Sequence, residues 1–358
     1  MKKIFALTLT MLFALSLMTG CVGTTVVIGN CTCPTGSHEQ PTENTVTVEG
    51  AVKTGLSVST SIADSTSATA EAEGAAKYDV TLVAVLVNDE GMIVDCVIDS
   101  IPATINFDAN GQITSDLSMA VPTKNELGDA YGMVAYGKAK AEWDAQVAAV
   151  AKYAIGKTVE QLKNGDIDMV TGMAKEGTVL STSATIYLAG YVYAIEAAVN
   201  NAQHLGAQAG DKLVLATLNT VGSSTSATAE KAGTIQLDAD ITALTKANDR
   251  ITSCYIDSLQ AKISIDATGT ITTDLSAAVK TKNELGENYG MVAWGKAKSE
   301  WNVQAAEFAA YVTGKTAADV AGIAITESTK PADGTDLATT VTISIGGFQA
   351  LIAKAMQE

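Results

Sequence analysis

The sequence predicts an α+β chain made of two tandem homologous domains, each an antiparallel, hairpin-built sheet followed by packed helices. Three observations lead there. A stretch of 21 residues, Thr123–Trp143, returns as Thr281–Trp301 with 17 positions identical. The same offset of 158 residues relates Cys96 to Cys254, a period of domain size and not that of a solenoid repeat. Within each copy, short strand-like runs joined by turns come first and helical periodicity comes after, which is the order of an α+β unit.

The N-terminus comes first in the chain. Met1-Lys2-Lys3 precedes an apolar run from Ile4 to Met18, which Thr19-Gly20 closes before Cys21. A basic start, a short apolar core and small residues make a secretory signal, too short to span a bilayer as a mature helix. Leu17-Met18-Thr19-Gly20-Cys21 resembles a bacterial lipobox. The resemblance implies that residues 1–20 are removed and that Cys21 becomes a lipidated N-terminus on the extracytoplasmic face of a bacterial envelope. Residues 21–45 then read as a polar, turn-rich tether, residues 46–203 as the first repeat domain and residues 204–358 as the second. Each repeat is long enough to bury a core of its own.

Composition narrows the function. Without Lys2 and Lys3 the chain carries 21 basic against 39 acidic residues, a formal charge of −18. Such a chain repels phosphate backbones, so nucleic acid is not an expected partner. Hydrophobic residues at 47% and charged residues at 17% suit folded cores. Only His38 and His204 are present, which removes most zinc and histidine-based schemes, and no metal site is expected. Cys31 and Cys33 lie in the tether without nearby ligands, and Cys96 and Cys254 read as buried free thiols.

Each repeat has the same grammar. A strand (Leu56–Ser61; Leu213–Leu218) leads into Ser-Thr-Ser-Ala-Thr-Ala-Glu (Ser65–Glu71; Ser224–Glu230). Val80–Val87 and Met92–Asp99 form a hairpin about Asn88-Asp-Glu-Gly91, and the second copy turns one residue sooner at Ala247-Asn-Asp-Arg250. A further hairpin pairs Ala103–Phe107 with Gln112–Ser115 about Asp108–Gly111, matched by a turn at Asp266–Gly269. Trp143, Val147, Val150 and Ala154 then fall on one helical face, as do Trp301, Ala305, Phe308 and Val312. Gly156 and Gly314 stop this helix, and Thr158 with Gln161 forms a capping box for the next. A final helix is expected over Ile186–Gln203 and Ile343–Met356. Gly156-Lys157-Thr158 is not a phosphate loop, because Ala151 stands where that motif needs glycine and a helix precedes it.

In the twice-written block, Thr123 and Glu126 fit a capping box, and Gly128 and Trp143 have ordinary structural uses. Lys124, Asn125, Tyr131, Met133 and Lys138, with Lys282, Asn283, Tyr289, Met291 and Lys296, lack so simple an account. Two lysines, an amide, a ring and a Gly-Met turn could cradle a planar anionic ligand. A contact between the two domains, repeated by symmetry, would also keep the copies alike.

Ser181-Thr-Ser-Ala-Thr185, ending in Ser183-Ala184-Thr185, opens the final helix after a hairpin-rich half. The tract resembles the Ser-Gly-Ala-Thr motif of FMN-binding domains in bacterial extracytoplasmic flavoproteins. That resemblance implies a covalent flavin on Thr185. The second repeat reads Thr340-Val341-Thr342 instead.

The expected function is therefore a membrane-anchored extracytoplasmic lipoprotein that binds a small molecule or envelope protein through the duplicated block. The alternative is an FMN-carrying electron-transfer flavoprotein. The carboxylate pairs Asp99/Asp257 and Asp116/Asp274 recur in different repeats and not in one site, which favours a non-catalytic role.

Overall fold

The computed structural model describes residues 24–28 and 44–358. The signal segment, the lipobox with Cys21, and Cys31 and Cys33 lie outside the described residues. Thr24–Ile28 (β1) pairs antiparallel with Asn44–Val48 (β2). The tether was expected to be turn-rich, yet these two runs are rich in Thr and Val, residues that favour extended pairing.

The first half builds an antiparallel sheet in the order β3 (Lys53–Ser61), β4 (Gly74–Val87), β5 (Ile93–Phe107). The second repeats it with β6 (Lys212–Thr220), β7 (Gly233–Ala247) and β8 (Arg250–Ile265). The strands run longer than their apolar stretches suggest, because β4 and β5 stay paired from Leu86 and Asp95 to Gly74 and Phe107. The second expected hairpin is correspondingly reduced. Ala103–Phe107 continues β5, and Gln112–Ser115 returns with a single bridge, Phe107 to Ile113.

The helices follow in both halves. Lys124–Leu127 (α1) and a single 3-10 turn, Gly128–Tyr131, lead to Trp143–Ala154 (α2), Val159–Asn164 (α3), Val179–Ser183 (α4) and Ala189–Asn200 (α5). The second half has Lys282–Leu285 (α6), Trp301–Val312 (α7), Ala317–Ala321 (α8), Leu337–Thr340 (α9) and Gly346–Gln357 (α10). The capping boxes at Thr123 and Thr158 form as the sequence suggests. Ser181–Thr185 does not open the final helix. Thr178 caps the separate helix α4, Ala184 is extended, and α5 begins at Ala189. No helix of the described residues is long and apolar enough to cross a membrane.

The two halves do not keep wholly separate cores. On β4, Leu82, Ala84 and Leu86 join a cluster that also holds Leu213, Ile241 and Leu259 of the second half. The alternate residues Val83, Val85 and Val87 pack under α2 and α5. Val214, Leu244 and Ile256 do the same under α7 and α10. The layers are thus helices, sheet, sheet, helices, with apolar burial between the sheets as the largest shared term. Strands buried on both faces read as continuous apolar runs, as Val80–Val87 does.

Reciprocal contacts join the halves. Ser67 Oγ accepts the Ile271 N–H at 2.9 Å, and Ser226 Oγ accepts the Ile113 N–H at 3.0 Å. The Ala68 N–H donates to the Gly269 carbonyl at 2.8 Å, and the Ala227 N–H to the Gly111 carbonyl at 2.9 Å. Each Ser-Thr-Ser-Ala-Thr-Ala-Glu tract therefore docks on the other half's turn, as the two faces of a two-fold interface do. Cys96 and Cys254 are both free and buried, in the helix–sheet clusters of different halves.

Candidate functional site

The twice-written block is fixed to its sheet by a buried carboxylate. Asp99, on β5, accepts the Ser100 N–H at 2.7 Å and the Asn125 N–H at 3.1 Å. The Asn125 side chain donates back to the Ile98 carbonyl at 2.9 Å. Asp257 and Asn283 repeat this arrangement at 3.1 Å, with the Ile256 carbonyl at 2.9 Å. Burial pushes the Asp99 carboxyl up and raises that of Asp257 to about 6. Both asparagines are thus committed to holding a short helix against a strand. Asp116 and Asp274 only close exposed turns, accepting from Ser118 and Ser276.

Lys124 and Tyr131 do come together, but inward. The Lys124 ammonium stands 5.2 Å from the Tyr131 ring centroid, 5.0 Å from that of Trp143 and 3.5 Å from Asp79 Oδ1. Lys124 is only 8% exposed. Lys282 sits likewise 5.3 Å from Tyr289 and 4.9 Å from Trp301. A cation between two ring faces gains electrostatically from both and is held away from bulk water. Met133 and Met291 pack against the helix–sheet cores. Of the residues singled out, only Lys138 and Lys296 point outward as free exposed side chains.

Those two lysines belong to a tip that sequence reasoning largely missed. Glu142 turns its carboxylate onto two consecutive backbone amides, Met133 N–H at 2.8 Å and Val134 N–H at 3.0 Å. It does not pair with Lys138. Glu300 holds Met291 and Val292 at the same distances. The chain then loops out, and Tyr136 stands 87% exposed in one copy and Trp294 81% in the other. Each ring lies over a glycine at φ 81°, Gly132 or Gly290, where a Cβ would fall 2.6 or 2.5 Å from the ring. Lys138 and Lys296 both adopt φ 54°, a conformation that costs an L residue about 1 kcal/mol or more. Val134, Tyr136 and Lys140, with Val292, Trp294 and Lys298, complete the two tips. The available signal was that one of the four differences between the copies exchanges one aromatic residue for another, Tyr136 for Trp294.

Thr185 lies apart from the tip. Its N–H and hydroxyl both donate to Gln146 Oε1, at 2.8 and 3.2 Å. Thr342 makes the same pair of bonds to Gln304 Oε1, at 2.7 and 3.1 Å. The Ser-Ala-Thr and Thr-Val-Thr tracts therefore share one local task, tying the run before the last helix to a buried glutamine. Lys157 donates to the Tyr153 carbonyl at 2.6 Å and covers its ring, which accounts for the lysine after Gly156.

No protein-family model, curated protein or solved structure matches the chain. The site rests on its own geometry.

Proposed function

We propose that this is a lipid-anchored envelope protein whose two loop tips, Val134–Lys140 and Val292–Lys298, bind an extracytoplasmic partner bearing anionic groups beside a flat or apolar face. One observation carries the reading. The internal contacts of the block use Thr123, Lys124, Asn125, Glu126, Glu142 and Trp143, and leave an exposed ring and a strained lysine on each copy. Strained backbone persists where the surrounding structure over-determines it, and it clusters at binding sites. Ring and ammonium together suit stacking plus charge attraction. Two equivalent tips on one chain raise avidity towards a repetitive partner.

The test is site-specific photo-crosslinking in intact cells of the source organism. A crosslinker at Ala135 or Ala293 should trap a discrete envelope component, and one at exposed Asp64 should not. Replacing Tyr136, Lys138, Trp294 and Lys296 by serine should abolish the adduct. Adducts that survive those substitutions would sink the assignment.

A further inference from the structure

The two-fold arrangement is broken at the last helix of the second half. On α10, Lys354 sends its ammonium across to the other half, where it pairs with Glu126 and donates to the Thr217 carbonyl at 2.7 Å. This bridges the last helix, the edge strand β6 and the partner block. The equivalent of Lys354 on α5 is Ala197, because Tyr191 and Phe348 occupy matching positions against Trp143 and Trp301. The equivalents of Glu126 and Thr217 are Glu284 and Val58. Glu284 keeps its capping role towards Thr281, at 2.8 Å from that N–H, but no lysine from the last helix reaches it.

A cleft of about 720 Å³ opens there, lined by Val58, Ala197 and Glu284 among others. Its counterpart around Glu126 measures about 390 Å³ and is lined in part by Lys212 and Glu358. Asp257 adds negative charge to the larger cleft, the Asp79 carboxylate there is paired with Lys124, and Lys280 is the cation on its lining. Lys280 makes no ion pair among the described residues. Tyr187 and Tyr193, 60% and 54% exposed, stand at its wall, and the matching positions before and on α10 are Ser344 and Ala350. The side-chain hydroxyl of Thr60, within the same cleft, is buried without a hydrogen-bond partner.

We infer that this cleft binds a primary alkylammonium group, seated between the Glu284 carboxylate and the Val58 carbonyl as the Lys354 ammonium is seated between Glu126 and Thr217. The chain itself supplies the precedent, since one copy of the site is filled by a tethered alkylammonium and the other is left open. Tyr187 provides an aromatic face for the cation and its aliphatic stem, and Tyr193, with the Lys163 ammonium 5.6 Å from its ring centroid, borders the stem. An ammonium here donates one charge-assisted hydrogen bond to the carboxylate and one to the carbonyl, the pairing already formed in the other half. This site is separate from the loop tips and stands or falls independently of them.

The test is calorimetric titration of the detergent-solubilised full chain with n-butylammonium chloride, with n-butanol as the neutral control. Nα-acetyl-lysine amide, as a second probe, distinguishes a free amine from a lysine side chain as the source. Saturable binding of an ammonium probe without binding of butanol is expected. Ala197→Lys, at an exposed helix position, should refill the cleft and weaken binding at least about tenfold. Glu284→Gln, which keeps the cap, should weaken it by a similar factor. Absence of saturable binding, or binding unchanged in both variants, would overturn the inference.

Discussion

The Lys124 ammonium lies 5.0 Å from the ring centroid of Trp143, inside the protein and not on its surface. A lysine read from sequence as a ligand contact is thus a clamp between the block and the helix that follows it. Lys124→Ala should cost about 2 kcal/mol, from lost cation–π contact, lost packing of the stem and the unpaired Asp79. Lys138→Ala should change stability by less than about 0.5 kcal/mol while weakening partner capture. Urea unfolding of both variants checks this, and equal effects would contradict the division of roles.

Lys138 and Lys296 carry a backbone conformation that glycine adopts freely. Lys138→Gly with Lys296→Gly should therefore raise stability, by about 0.5–1 kcal/mol per site, and lower capture of the envelope partner. Thermal melts and the crosslinking yield report the two effects. A loss of stability would show that the lysine side chains hold the tips in place.

The buried carboxylates set a pH dependence of defined sign. Burial raises the Asp257 carboxyl from 3.8 to about 6, and that of Asp99 moves the same way. The folded chain then holds these protons more tightly than the unfolded chain does. For Asp257 this contribution to stability is greatest below pH ~4 and is lost as pH rises through about 6, by about 2–3 kcal/mol, and that of Asp99 falls in the same sense. Asp257→Asn retains an acceptor for the Ser258 and Asn283 amides. It should be more stable than the parent at pH ~7 by about 1–2 kcal/mol and should flatten the profile between pH ~4 and ~7. Melting curves across that range decide it, and an unchanged slope would remove Asp257 as its source.

The reciprocal serines should differ in weight. Ser226→Ala leaves the partly buried Ile113 amide without its acceptor and should cost about 1 kcal/mol. Ser67→Ala exposes the Ile271 amide to water and should cost less, because solvent replaces the bond. Equal costs, measured by denaturant unfolding, would mean that the two docking contacts are alike in burial.

Cys21→Ser should release the chain from the membrane or leave it unprocessed, since the polar stretch after it offers no second anchor. Membrane fractionation that matches the parent protein would exclude lipidation at Cys21 as the anchor.

Much of the fold was legible because local rules and the tertiary structure agree. The Thr123 and Thr158 capping boxes, the Trp143 helix and the Asn88–Gly91 turn follow from short-range hydrogen bonding and periodicity, and each is present. The duplication was also legible, as a repeated string. What the string could not say was why the copies stayed alike. Lys124 and Lys138 are both lysines in a polar stretch, and only the placement of Tyr131 and Trp143 makes one a buried clamp and leaves the other exposed. The Ser65–Glu71 tract had no role that the sequence could assign until the second half supplied the turn it docks on. Likewise Ala197 is an unremarked alanine until α10 places Lys354 at its equivalent position. Sequence by itself determined the elements, their order and their repetition, because those depend on neighbours along the chain. Tertiary structure decided which faces the halves share, which polar groups are consumed between them and which remain free. Those outcomes depend on contacts between residues more than 100 positions apart, such as Ser67 and Ile271, whose pairing no local pattern encodes.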